Sequence, residues 1–247
     1  MIKKYTADLH IHTCLSPCAD LDMTPSAIVA EALKKKIDII AITDHNSAEN
    51  ILATQRAAAG TPLTVLAGME VATSEEAHVL ALFDQVETAI ELQNMIYQHL
   101  LPGENDEKLF GEQIVVNEKD EVINFNKRIL IAATALPAHE IINSIHALNG
   151  LVIASHVDKS TFSIISQLGF IPADLTFDAL EISPHMKHKE AEHELGAYRS
   201  FTWISSSDAH YLRDLGRRKT SFFMEKPSVT EMKLAMRHHQ GRRCEWS

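Results

Sequence analysis

The chain has 247 residues, 45% of them hydrophobic and 23% charged, which is the composition of an ordinary globular protein. Lys and Arg number 23 against 33 Asp and Glu, a formal charge of −10, so we expect no binding of duplex nucleic acid through its phosphates. Three cysteines are too few for a disulfide framework. Neither a signal peptide nor a membrane span is evident, so we expect a cytoplasmic protein with no membrane partner.

Apolar runs and helical patterns alternate along the chain. In chain order they are strand Tyr5–Ile11, helix Pro25–Lys36, strand Ile37–Ile42, helix Ser47–Ala59, strands Leu63–Val71 and Val79–Phe83, helices Val86–Leu100 and Pro137–Leu148, strand Leu151–Ala154, helix Thr161–Leu168, strand Ala179–Ile182, helix Lys187–Tyr198, strand Thr202–Ile204 and helix Ser228–His239. Continuous apolar strands between helices are typical of parallel strands covered by helices. The pattern therefore predicts an α/β fold and favours a closed barrel over an open sheet.

The segment Pro102–Arg128 interrupts this alternation. Within it, Gln113–Ile123 has the pattern of two short strands around a polar turn. We interpret the segment as a small β-hairpin or lid inserted between barrel units. Residues 1–247 are accordingly predicted to form one domain.

Imidazole and carboxylate groups follow the first and last predicted strands. His10 and His12 lie two residues apart, so their side chains share one face of a strand, and Asp208 and His210 repeat that spacing. Strand tails on one face of a β/α barrel are where active sites are built. A lone buried histidine is usually a hydrogen-bonded core residue, but the two pairs together predict a metal site for Zn, Mn or Fe.

Five more candidate ligands lie at or just beyond strand ends between these pairs. The full set of predicted metal ligands is His10, His12, Asp20, His45, Glu70, His78, His156, Asp208 and His210. Nine ligands exceed the roughly four to six that one ion takes. The sequence therefore predicts two or three divalent ions that share a bridging carboxylate.

Five motifs occur in a characteristic order: Asp8-Leu9-His10-Ile11-His12, Thr43-Asp44-His45, Gly68-Met69-Glu70, Ala154-Ser155-His156 and Ser207-Asp208-Ala209-His210. With them the chain resembles the polymerase and histidinol phosphatase (PHP) family of metal-dependent phosphoesterases. The resemblance implies a single distorted (β/α)7 barrel with a trinuclear centre at the carboxyl ends of the strands. It implies one ion on His10, His12, Glu70 and Asp208, a second on Asp20, His45 and His210, and a third on Glu70, His78 and His156. In the loop after the first strand, Asp20 is preferred to Asp22 as the ligand.

The resemblance also implies an activity, which is hydrolysis of a small phosphorylated substrate by a hydroxide that bridges two metal ions. A nucleotide or nucleoside bisphosphate fits best. We expect Asp8 and Asp44 to orient the ligand imidazoles, and His78 or His210 to protonate the leaving oxygen. Candidate phosphate-binding residues are Lys159, Arg213 and Arg217, although Arg217 is equally consistent with a solvated run of charges.

Other functions remain open at this point. Histidinol phosphate and the ends of short oligonucleotides are alternative substrates. An amidohydrolase also begins with His-x-His on a barrel strand, but such sites usually hold one or two ions, and the third set of ligands argues against it. A non-catalytic regulatory module would be expected to have lost ligands, and none is missing. The sequence makes no prediction of oligomeric state.

Overall fold

The computed structural model of the protein describes residues 1–246. Nine strands form one sheet that curls into a nearly closed barrel, which confirms the predicted α/β barrel class. The strands are β1 (Lys3–Ile11), β2 (Ile39–Ile42), β3 (Thr64–Ala72), β4 (His78–Phe83), β5 (Ile114–Val116), β6 (Val122–Phe125), β7 (Leu151–Ala154), β8 (Ala179–Ile182), β9 (Trp203–Ser205), β10 (Thr220–Met224) and β11 (Arg243–Trp246). Strands β5 and β6 form a separate two-stranded sheet.

Seven of the eight α-helices within residues 1–246 lie between the strands near their predicted positions, and the short helix Glu107–Phe110 was not predicted. The eight helices are α1 (Pro25–Lys34), α2 (Ile51–Ala57), α3 (Val86–Tyr97), α4 (Glu107–Phe110), α5 (Ala138–Ala147), α6 (Ile164–Leu168), α7 (His188–Glu194) and α8 (Val229–Met236). Pro25 starts α1, where its missing N–H has no partner to lose. No helix within residues 1–246 is both long and apolar enough to cross a membrane.

The strand order in the barrel is β11-β10-β1-β2-β3-β4-β7-β8-β9. Two parallel sets, β1 to β3 and β7 to β9, are separated by β4, which is antiparallel to both of its neighbours. Strands β2, β7 and β8 are buried along their whole length, as expected for strands covered on both faces. Strands β10 and β11 were not predicted, and they add an antiparallel pair beside β1.

The reversal of β4 determines where its first residue lies. Only residues 73–77 connect β3 to β4, whereas a parallel crossover needs about a dozen residues. The two strands therefore form a hairpin in which Ala72 pairs with His78. As a result, the start of β4 lies at the same end of the barrel as the end of β3.

The barrel is closed by hydrogen bonds between the end of β1 and the segment after β9. The N–H of His12 donates to Ala209 O at 3.0 Å, and the N–H of Ala209 donates to His10 O at 3.1 Å. Buried Asp8 reinforces this contact, because its carboxylate accepts the N–H groups of Ser207 and Gly216 at 2.9 and 2.7 Å. The end of β1 and the segment after β9 are thereby joined at the end of the barrel where β3 ends and β4 begins.

The inserted segment contains the expected hairpin, formed by β5 and β6, and also the short helix α4. It is attached to the loop that follows β1, where the N–H of Ile114 donates to Cys14 O at 3.0 Å, and to Asn50, the residue that precedes α2. The side-chain amide of Asn50 donates to Ile114 O and accepts the N–H of Val116, both at 3.0 Å. These contacts fix the insertion next to the edge of the barrel that carries the predicted ligands.

Candidate metal centre

Glu70, on β3, lies at the centre of the predicted site with its side chain 1% exposed. Five imidazole nitrogens surround its carboxylate: Nε2 of His10, Nδ1 of His78 and Nε2 of His156 lie 3.2, 3.1 and 3.3 Å from Oε1, and Nε2 of His12 and Nδ1 of His45 lie 3.4 and 3.2 Å from Oε2. The reversed direction of β4 is what brings His78 into this group. One carboxylate with both oxygens facing imidazoles has the geometry of a bridging ligand.

Asp208 forms the second anionic point of the cluster. Its Oδ1 lies 3.4 Å from Nε2 of His10 and 3.6 Å from both Nε2 of His12 and Nδ1 of His210. Its Oδ2 accepts a hydrogen bond from the ammonium group of Lys159. Eight of the nine predicted ligands are thus gathered in one place, and donor atoms close enough to share an ion form the groups His12–His45–His210, His10–His12–Asp208 and His45–Glu70–His78.

Asp20 is the predicted ligand that the structure leaves at the margin. Its backbone N–H donates to His210 O at 2.9 Å, so the loop lies next to the cluster. Its carboxylate, however, accepts the N–H of Asp22 at 2.9 Å. Within residues 1–246, neither Asp20 nor the exposed Asp22 joins the groups of donor atoms that could hold an ion.

Two of the clustered residues have backbone conformations that side-chain-bearing residues rarely adopt. His156 has a φ of 28° and Asp208 a φ of 49°, both in the left-handed region that favours glycine. Such strain persists only where the surrounding structure enforces it, and it concentrates at functional sites. Here it turns two side chains inward directly after β7 and β9.

Asp44 is linked to His12 and to the backbone of His45 through a neighbouring hydroxyl. The Oγ atom of Ser16 donates to Asp44 at 2.7 Å, lies 3.0 Å from Nδ1 of His12 and accepts the backbone N–H of His45 at 3.1 Å. Asp44 also accepts the N–H and hydroxyl of Thr13 at 2.7 and 2.8 Å. The orienting role of Asp44 remains a prediction, and these contacts would make it an indirect one, on His12 and on the backbone of His45.

Asp8 does not contact an imidazole, because both oxygens accept backbone N–H groups of the closing segment. Burial raises the pKa of Asp8 to about 6. The orienting contact expected of Asp8 is made instead by Glu181, on β8, whose Oε2 lies 2.9 Å from Nδ1 of His10 and accepts the N–H of His156 at 3.1 Å. Glu181 was not predicted, although a charged residue inside the apolar strand Ala179–Ile182 is a signal for such a role, since glutamate is rarely buried unpaired.

The pKa values of several carboxylates and imidazoles in the cluster are shifted towards the forms that bind cations. Burial acts to raise the pKa of Glu70, but the neighbouring imidazoles of His10, His78 and His45 outweigh burial, and this pKa lies well below its usual value. Burial likewise acts to raise the pKa of Asp208, but His10, a hydrogen bond from His12, and Lys159 outweigh burial and hold this pKa well below its usual value. Burial lowers the pKa of His210 to about 4 and that of His45 well below its usual value. The neutral imidazoles of His45 and His210 and the ionised carboxylates of Glu70 and Asp208 are in the forms that bind metals.

Several buried polar atoms of the cluster have no partner among residues 1–246 at the angles of a hydrogen bond, although Nδ1 of His45 and Nδ1 of His78 lie 3.2 and 3.1 Å from oxygens of Glu70. The atoms without such a partner are Nδ1 of His45, Nδ1 of His78, Nδ1 of His156 and Oε1 of Glu70. Moreover, Nε2 of His10 and Nε2 of His12 face each other at 3.2 Å. Unpartnered buried groups are costly, and nitrogen and carboxylate oxygen together suit divalent transition metals. The residues present therefore fit the predicted metal ions.

The cluster forms the floor of a cavity of about 210 Å³. Its polar lining is His45, Glu70, His78, His156, Lys159, Asp208 and His210, and Cys18, Ile131 and Phe162 complete its wall. A larger cavity of about 1070 Å³ includes Trp203, at the start of β9, and Trp246. It lies at the opposite end of the barrel and holds none of the predicted ligands, so the smaller cavity is the one relevant to chemistry.

The three predicted phosphate-binding residues have different surroundings. Lys159 lines the cavity, and although burial acts to lower its pKa, the carboxylates of Asp208, Glu70 and Glu181 outweigh burial and raise it. Arg217 instead donates its Nε–H to Ser207 O at 2.9 Å. Arg213 lies over the ring of Tyr211 at 4.5 Å. Neither arginine is among the described residues that line the cavity. Both lie in the loop after β9, and both are exposed.

The ends of the barrel strands place imidazoles and carboxylates around a small cavity. This is the arrangement of a metal-dependent hydrolase. The PHP domain family matches residues 8–170, more than half of the chain, and the chain belongs to this family. The resemblance seen in the motifs is thus confirmed, together with the class of metal-dependent phosphoesterases that use divalent ions. Asp208 and His210 lie beyond the matched residues, and the barrel brings them to the others. No curated protein sequence matches the chain significantly.

Solved structures share the fold at low sequence identity. The lesion-specific endonuclease EndoQ from Pyrococcus furiosus is 18% identical, with a TM-score of 0.74, 98% of this chain covered and 58% of the endonuclease. Endonuclease Q in complex with a 27-mer duplex substrate is 18% identical, with a TM-score of 0.72, and the match covers 98% of this chain and 58% of the endonuclease. A protein from Bifidobacterium adolescentis designated a metal-dependent phosphoesterase is 20% identical, with a TM-score of 0.58. That match covers 83% of this chain and 87% of the phosphoesterase. The chain therefore spans less than two thirds of the endonucleases it resembles.

These comparisons correct one expectation. The prediction that the net charge rules out duplex nucleic acid is wrong, because endonuclease Q, which has this fold, is seen with a duplex carrying an abasic lesion at its active site. Net charge averages over a whole surface, whereas a duplex meets only one face of a protein. A formal charge of −10 therefore says little about the face that carries the metal cluster.

Proposed function

We propose that the protein hydrolyses a phosphoester of a nucleotide or nucleoside bisphosphate at a centre of two or three divalent ions. The observation that carries this proposal is the carboxylate of Glu70, surrounded by five imidazoles in a cavity that also holds Asp208 and Lys159. Membership of a family of metal-dependent phosphoesterases supports it.

The ligand sets follow the three implied ions. His10, His12, Glu70 and Asp208 would hold the first, His45 and His210 with Asp20 the second, and Glu70, His78 and His156 the third. Zn, Mn or Fe fits these donors. When bound, such ions supply an activated water near neutral pH and offset the charge of a phosphate.

The residues around the ions then have distinct tasks. The Lys159 ammonium group, which faces the same cavity, binds a non-bridging oxygen of the phosphate. His210 is held with Nδ1 3.0 Å from Asp208 O, and with a pKa of about 4 its ring is neutral at neutral pH and is not an imidazolium acid. His78 is a candidate for protonating the leaving oxygen only in a state in which it does not bind the third ion.

The size of the cavity limits what it encloses. Its volume of about 210 Å³ is below the roughly 300–1,000 Å³ of sites that bury a whole small ligand. It has room for the phosphate and the atoms next to it. The remainder of the substrate must lie outside, along the rim formed by Cys18, Ile131 and Phe162.

A second candidate substrate is a phosphodiester of nucleic acid. Two observations favour it: the open rim, which leaves a path for a longer substrate, and the TM-score of 0.74 with a lesion-specific endonuclease over 98% of this chain. The two candidates share the chemistry at phosphorus. They differ in what must lie outside the cavity.

The test is phosphate release and strand cleavage by protein reconstituted with Mn²⁺ or Zn²⁺. The panel contains AMP, 3′,5′-bisphosphoadenosine, histidinol phosphate, a short RNA, and a 27-mer duplex with and without an abasic site. His10→Ala and Asp208→Ala serve as controls, with metal content measured on each preparation. We expect hydrolysis that requires metal and is lost in both variants together with bound metal. Full turnover in both variants would exclude the proposed centre.

A further inference from the structure

Phe162, in the loop between β7 and α6, is the one large aromatic residue among those that line the cavity within residues 1–246. It is 47% exposed. Its backbone has a φ of +59°, a conformation in which a bulky side chain is a genuine outlier. A glycine here would remove both the strain and the exposed ring, so the fold keeps a costly residue at the mouth of the site.

The ring is held in a defined orientation. It stacks on the imidazole of His78 with the centroids 4.9 Å apart and the planes within 12° of each other. The backbone supports this position, because the N–H of His78 donates to Phe162 O at 2.9 Å. With one ring face covered by His78 and nearly half of the residue exposed, the other face is free at the entrance of the cavity.

The surroundings of this free face combine an apolar wall with a polar floor. Ile131 lines the same cavity, and Lys159 lies three residues earlier in the same loop with its ammonium group at Asp208. A ligand that fills this space has an anionic group at one end and a flat, weakly polar group at the other. A nucleotide has this combination, with the phosphate and the base separated by a sugar.

We propose that Phe162 is a specificity-determining residue that stacks on the base of a nucleotide whose phosphate lies at Lys159 and the metal cluster. This inference rests on the proposed function and names the part of the substrate recognised outside the cavity. Stacking on an aromatic ring tolerates any base, because every base presents a π-face. One preoriented ring is sufficient for it, even though the chain has only 6% aromatic residues.

The experiment compares AMP with ribose 5-phosphate, which has the same phosphate and sugar but no base. For Phe162→Ala we expect KM for AMP to rise about five- to a hundredfold, the range for loss of one stacked base. KM for ribose 5-phosphate should remain nearly unchanged, and Phe162→Tyr should keep the wild-type preference. The matched control is Phe170→Ala, which removes a phenylalanine that is 58% exposed and lies outside the cavity.

Binding of adenosine, followed by calorimetry on wild type and Phe162→Ala, separates this inference from the proposed function. If the wild type binds adenosine and the variant does not, stacking stands even when neither phosphate ester is hydrolysed. If Phe162→Ala weakens AMP and ribose 5-phosphate equally, or if the wild type does not bind adenosine, the stacking role is refuted. Thermal unfolding of Phe162→Ala and Phe162→Tyr verifies that both variants are folded.

Discussion

Nδ1 of His10 and Oε2 of Glu181 lie 2.9 Å apart, and both side chains are buried. This contact places a proton on Nδ1 and leaves Nε2 of His10 free to face Glu70 and Asp208. The same oxygen accepts the N–H of His156. One carboxylate on β8 thus positions two predicted ligands that come from different strands.

Replacement of Glu181 should therefore weaken metal binding without removing a ligand. For Glu181→Gln we expect metal affinity to fall about 10- to 100-fold, the usual effect of losing a partner behind a ligand. A competition titration against a chelator measures this. Glu194→Gln, at the exposed end of α7, is the matched control. Unchanged affinity in Glu181→Gln would show that His10 is positioned without it.

Glu70→Gln should have the larger effect, because we propose that its carboxylate bridges two of the implied ions. We expect loss of at least one ion per chain and a fall in phosphate release of a thousandfold or more, about 4 kcal/mol in the barrier. Metal analysis and turnover are measured on the same preparation. Glu76→Gln changes an exposed glutamate in the β3–β4 turn and should alter neither. Full metal content with full activity in Glu70→Gln would contradict the bridging role.

Lys159 and Arg213 allow the phosphate-binding assignment to be tested on residues in different surroundings. Lys159→Met should raise KM for a phosphate ester about tenfold or more, since a charged hydrogen bond to the substrate is lost. Arg213→Ala should change KM little, because Arg213 lies over Tyr211 on the exposed loop. Steady-state kinetics at constant metal saturation distinguish the two, and the reverse order of effects would overturn the assignment.

The metal-free protein should lose stability as the pH falls towards 4. The pKa of His210 is about 4 in the folded protein and about 6.5 when unfolded, so the unfolded chain takes up its proton first. The contribution of neutral His210 is complete above pH 6.5 and is lost as the pH falls through this window, by up to about 3 kcal/mol. Urea unfolding of chelator-treated protein at several pH values measures it.

The variant His210→Asn isolates this effect from other groups. Asp8 acts in the opposite direction, since its pKa of about 6 lies above the ordinary 3.8 and its contribution is lost as the pH rises through 6. Both proteins contain Asp8, so its influence cancels in the difference between them. We expect the free energy of unfolding of the wild type to depend more steeply on pH between 6.5 and 4. Parallel curves would show that His210 does not titrate in this way.

Much of the barrel was predictable because its signals are local. The seven apolar runs, the helices and the hairpin within Pro102–Arg128 are found close to their predicted bounds. The clustering of eight of the nine predicted ligands follows from one geometric rule, that strand ends on one side of a barrel meet. The metal-binding roles themselves remain predictions.

What sequence reasoning missed depends on contacts between distant segments. The direction of β4 is set by the short connection of residues 73–77, and β10 pairs with β1 across almost the whole chain. Glu181 and Phe162 have no motif around them, and their significance arises from His10 and His78, which approach them only in the folded barrel. The marginal position of Asp20 likewise depends on the conformation of a loop.

The closure of the barrel between His12 and Ala209 has a consequence for how the protein folds. His10 and Asp208 come from opposite ends of the chain, so the pair forms only after a contact of very high sequence separation, which is slow because the chain entropy is lost first. Metal uptake should therefore be among the last events of refolding. A spectroscopic ion such as Co²⁺ would report completion of the fold and not its beginning.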